Sequence, residues 1–130
     1  MTQEDKELLF KDLCARLPYD LQVKIVEDDE PYTLLSAHPN KDIALIGIDM
    51  GGVYATSKVK IDTIKPYLRP MSSMTEEEKM FYEYHKEGHC FAEFAATLVD
   101  WLNAHHFDYR GLIPKGLAIE VTESNNPYKN

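Results

Sequence analysis

The chain reads as a single α+β domain, and three observations carry that prediction. Apolar residues recur at helical spacing near the N-terminus and again over residues 91–105. Between these stretches, from residue 21 to residue 61, the period changes to two. Runs of strands followed by runs of helices favour α+β over the alternating α/β pattern. At 130 residues the chain fits one domain, residues 1–130, with one hydrophobic core.

Thr2 with Asp5 resembles a capping box, and Leu9, Leu13 and Leu17 with Phe10 and Cys14 predict a helix from about Gln3 to Arg16. Pro18 stops it, because its ring and missing N–H cannot continue the ladder. Leu21, Val23 and Ile25 alternate with Gln22 and Lys24, a half-buried strand. Glu27–Glu30 is an acidic turn, and Pro31–Ala37 is a second strand with Pro at its tolerated first position. Ile43–Asp49, almost wholly apolar, is expected at the centre of the sheet, and Val53–Ile61 returns after Gly51-Gly52. Short connections favour a four-stranded antiparallel meander, with room to curl towards a small barrel. Ile64–Pro70 is extended, since each residue before Pro avoids the helical region.

Thr75-Glu76-Glu77-Glu78 opens a helix that runs to Lys86, its carboxylates expected to be solvated and to serve the cap and dipole. Phe91, Phe94, Ala95, Leu98, Trp101, Leu102 and His105 then mark one face of a second helix, expected as the element against which the others pack. Asp108–Gly116 is a loop ending in a turn at Pro114-Lys115-Gly116. Leu117–Val121 adds a short final strand, and residues 122–130 are expected to fray.

Composition narrows the function classes. Two cysteines, Cys14 and Cys90, form neither a disulfide framework nor a zinc ribbon and suit a reducing compartment. No leader and no membrane-length apolar segment is read, so the expectation is a cytoplasmic protein without membrane contact. A net charge of −8 disfavours nucleic acid, with a local exception at Lys58, Lys60, Lys65 and Arg69 around Asp62. A solvated strand face explains that exception more simply.

Motifs that suggest chemistry mostly dissolve on inspection. Ile46–Gly52 resembles the first phosphate motif of actin-like and sugar-kinase ATPases, but the chain is too short for their two lobes, and a hairpin needing positive φ explains Gly51-Gly52. Gly111–Gly116 fails the Walker pattern because Lys115 precedes the second Gly. His85, His89, Cys90 and His106 (with His105 alongside) supply ligand types for a metal site or a Cys–His nucleophile, yet Gly88 interrupts the helical spacing and no signature surrounds the Cys. No catalytic residue and no cofactor is therefore assigned. Asp108 with Arg110 beside His106 is the better polar cluster, its plainer reading a loop held by an ion pair.

The expected binding residues are Tyr67, Arg69, Tyr82, His106, Asp108, Tyr109, Arg110 and Lys115. Tyrosine brings large contact area at low entropic cost, and Met71, Met74 and Met80 add an adaptable apolar component. They point to a non-catalytic interaction module with a protein partner. The alternative class is a small enzyme or metal-binding protein built on the His/Cys residues.

Three strings carry a resemblance: DLCARLPY at Asp12–Tyr19, IKPYLRPMSSMTEEE at Ile64–Glu78 and WLNAHHFDYRGLIPKGLAIE at Trp101–Glu120. They resemble a family of uncharacterised small proteins of gut anaerobic bacteria, often carried on phages or other mobile elements. The resemblance spans both ends and the middle, and it implies no activity.

Overall fold

A computed structural model describes residues 2–38, 41–86 and 92–128, and of residues 92–96 it describes the backbone. Helix α1 (Gln3–Ala15) starts where Thr2 Oγ1 accepts the Asp5 N–H at 3.1 Å. A short 3₁₀ turn at Leu17–Tyr19 ends it, with Asp20 in the left-handed region. Strands β1 (Gln22–Ile25), β2 (Pro31–His38), β3 (Ile43–Asp49) and β4 (Tyr54–Lys60) form the antiparallel meander. A fifth strand, β5 (Ile64–Leu68), pairs antiparallel with β1, so the extended Pro-flanked stretch is itself part of the sheet. Helices α2 (Glu76–Lys86) and α3 (Ala92–Ala104) follow, and β6 (Ile119–Glu120) pairs parallel with β5.

The sheet is open, in the order β4-β3-β2-β1-β5-β6. A barrel would need β4 to meet the far edge, whereas β5 and β6 extend that edge on the opposite side. β3 is interior, as its apolar sequence requires. The tip after it is a hairpin, with Gly51 and Gly52 at φ 79° and 96° and Asp49 Oδ1 accepting the Gly52 N–H at 2.8 Å. Leu35 bulges out of the β2–β3 register between Leu34 and Ser36.

The core lies between α1 and one face of this sheet. Leu9 and Leu13 of α1, Val23, Leu34, Ala44, Ile46, Ile64 and Leu68 of the strands, and Leu112, Leu117 and Ala118 of the following loop form one buried cluster. Among the described side chains this cluster centres on α1, where the helix over 91–105 was expected to be the central element. Phe91 and the side chains of Phe94 and Ala95 lie outside the described residues, and of the rest of that stripe Leu102 is buried and Leu98, Trp101 and His105 are half-buried. An i, i+3, i+4 stripe announces that a helix has a covered face and leaves open what covers it. Here Trp101 meets Phe81 of α2, ring centroids 4.7 Å apart.

The end of the chain also departs from expectation. Residues 122–128 are not frayed: Asn125 closes a turn on Thr122, and Tyr128 reaches back to the sheet. Its phenol donates to the Tyr67 carbonyl at 2.8 Å and accepts the Gln22 N–H at 3.1 Å. One residue further along the β1–β5 register, Gln22 and Tyr67 would face each other, so the phenol bridges the ladder's open end.

Candidate functional site

Of the polar residues singled out around 106–110, Tyr109 and Arg110 meet, and Arg110 reaches α1, whereas Asp108 and His106 turn elsewhere. Asp12 and Arg16 lie at i+3 and i+7 from Leu9, on the buried stripe of α1, and both are fully enclosed. Arg16 grips Asp12 through Nε (2.9 Å) and Nη2 (3.1 Å) and donates from Nη2 to the Phe107 carbonyl at 2.6 Å. Arg110 adds a second guanidinium to the same carboxylate, 2.9 Å from Asp12 Oδ1. The expected Asp108–Arg110 pairing is therefore replaced. Asp108 instead accepts the N–H groups of Leu112 and Ile113 at 2.8 and 2.9 Å, organising the turn that ends at Gly116. Both guanidiniums pack over the Tyr109 ring, at 5.3 and 4.6 Å, and its hydroxyl donates to buried Asn103 at 2.8 Å. These side chains fasten the loop to α1 and α3.

A second polar group joins the sheet to the helix pair. Arg69, just past β5, forms a two-pronged bond with Glu78 (2.9 and 2.8 Å) and rests on the Phe107 ring at 4.2 Å. Glu78 also completes the capping box, accepting the Thr75 N–H at 2.8 Å while its own N–H reaches Thr75 Oγ1 at 3.2 Å. The Arg69 guanidinium holds the Glu78 carboxyl down at about 2. Of the three first-turn carboxylates expected to be solvated, Glu78 is thus an anchor, while Glu76 and Glu77 are exposed. Rings continue the connection: His85 on Phe81 (4.1 Å), Phe81 on Trp101 (4.7 Å), Trp101 on His105 (4.7 Å).

His106 turns away from this stack. It sits at φ 63° and lies flat on Tyr128, ring centroids 3.7 Å apart at 9°. Beside it opens a cleft of about 830 Å³ lined by Arg69, His105, Thr122 and Asn126 as well. Burial, reinforced by Arg16, His105 and Arg69, lowers the His106 pKa to about 4, so the ring is neutral and its buried Nδ1 has no hydrogen-bond partner among the described residues. A pKa lowered from 6.5 stabilises the fold fully above 6.5, and that contribution disappears as pH falls through about 4. Glu78, lowered from 4.5 to about 2, adds a further loss at lower pH in the same direction. Unfolding free energy measured by urea titration should therefore decline between pH 6.5 and about 4. His106→Asn, which tolerates the left-handed backbone, should flatten that decline.

The remaining expected residues scatter. Tyr67 is buried (6% exposed) and is no surface contact. Tyr82 is half-buried beside the Lys86 ammonium, and Lys115 is exposed on its turn. His85 turns its Nδ1 to the Phe81 carbonyl at 2.9 Å. His89 and Cys90 lie outside the described residues, within which no three metal-ligating side chains gather. Three strands separate Lys58 and Lys60 on β4 from Lys65 on β5, and Arg69 is engaged by Glu78, so the basic stretch forms no single patch. Among the described residues no helix is long and apolar enough to cross a membrane.

Sequence reasoning passed over Asp12, Arg16, Asn103 and Tyr128. For the first two a signal existed, a carboxylate and a guanidinium four residues apart on an apolar stripe. For Tyr128 there was none. No family model, curated protein or solved structure matches the chain.

Proposed function

We propose that the chain is a non-catalytic protein-interaction module that engages its partner through the outer face of α2, in keeping with an accessory protein of a mobile element. The observation that carries this reading is the exposure of that helix. None of its 11 residues is fully buried, and Met80 and Tyr84, one turn apart, are 71% and 59% exposed. Val99 of the neighbouring α3 is 41% exposed as well. Alongside runs a groove of about 330 Å³ lined by Met71, Met74, Lys79 and Tyr82. Methionine adapts to an irregular partner, and tyrosine combines apolar area with a polar tip, which is why both are enriched where proteins meet. Arg16, Arg69 and Asp108 are meanwhile committed to Asp12, Glu78 and the backbone.

A photo-crosslinking amino acid at position 84, expressed in the native host, should yield one discrete protein adduct that Met80→Asp abolishes. The same group at exposed Glu123 should yield none. Equal labelling from both positions, or no adduct from position 84, would contradict the proposal.

A further inference from the structure

The geometry points to a second docking element, independent of α2: we infer that the free edge of β4 accepts an extended, acidic segment of another protein as an added strand. β4 is the terminal strand of the sheet and pairs with β3 along its whole length, from Ile43↔Lys60 to Asp49↔Tyr54. Among the described residues no strand pairs with its other edge, which presents a row of backbone N–H and C=O groups, and six of its seven residues are exposed. Tyr54, Thr56, Lys58 and Lys60 share one face of the strand, with Ala55, Ser57 and Val59 on the other. Nearby, the Leu35 and Tyr54 side chains close over Gly47, which leaves apolar surface next to the lysines.

Charge selects the occupant. The chain as a whole carries −8, yet β4 holds two lysines and no carboxylate. Among the described residues neither Lys58 nor Lys60 is ion-paired, because Asp42 and Asp62 are taken by Lys6. Lysines on a bare edge discourage pairing with a second copy, since identical strands would bring like charges together across the seam. A strand with Asp or Glu at alternate positions meets them favourably, its main chain supplying affinity and its carboxylates the choice of partner.

The test is a selection of displayed 12-residue random peptides against the intact wild-type chain and against its Lys58→Glu/Lys60→Glu variant, both exposed substitutions. Wild type should enrich peptides with carboxylates at alternate positions, and the variant should enrich Lys or Arg at the same spacing. A synthetic wild-type-selected peptide should shift the amide resonances of residues 54–60 and bind the variant at least tenfold more weakly. The inference is overturned if nothing is enriched, if the enriched peptides lack alternating acids, or if their shifts map elsewhere. Shifts confined to α2 would refute this proposal and leave the α2 reading standing.

Discussion

Asp12→Ala should lower the unfolding free energy by roughly 3–5 kcal/mol, the largest single-residue loss expected in the molecule. The substitution strands two guanidiniums, Arg16 with no exposed side-chain surface and Arg110 with 16%. It also frees the Phe107 segment, which Arg16 holds through its carbonyl. Asp12→Asn keeps the shape and part of the hydrogen bonding and should fall between wild type and Ala. Arg110→Met should cost less than either, because its partner keeps Arg16 and the group it removes is partly solvated. Urea titrations of the three variants check the order. A loss of this size is a large fraction of the 5–15 kcal/mol typical of a small domain.

Tyr128→Ala should cost about 3 kcal/mol, although the residue lies near the end of the chain. Its ring stacks on His106, and its hydroxyl satisfies Gln22 and Tyr67 at the end of the β1–β5 ladder. Burial holds this phenol well above the ordinary tyrosine range. Tyr128→Phe keeps the stack and removes the bridge, so it should lose about 1–2 kcal/mol from the two backbone groups left unsatisfied. Amide exchange at Gln22 should accelerate in both variants, while amides at the β3–β4 hairpin tip should be unchanged.

The architecture was largely legible from periodicity. A change from helical spacing to alternation at Asp20, and back near Thr75, places α1, the meander and the helix pair where they are found. Position in the core was not legible in that way. Residues 91–105 carry the most regular apolar stripe, yet among the described side chains the buried cluster assembles around Leu9 and Leu13, because coverage depends on which elements the topology brings together. The site was legible in part. Tyr109 and Arg110 do meet, but Asp108 turns to the backbone, His106 to Tyr128 and Arg110 to Asp12, 98 residues away in the chain, and no local pattern records a contact of that range. Glu78 illustrates the same gap: its capping role is written in Thr75–Glu78, whereas its bond to Arg69 depends on where β5 ends.

The core and the buried polar bonds hold the molecule together, whereas Met80 and Tyr84 on the exposed face of α2 are free to meet a partner. The urea midpoint of a Met80→Gln/Tyr84→Gln double variant tests that division most directly. Its stability should stay within about 0.5 kcal/mol of wild type per substitution, as for exposed positions elsewhere. A loss of several kcal/mol, comparable to that of Asp12→Ala, would mean that this helix face supports the fold instead of awaiting a partner.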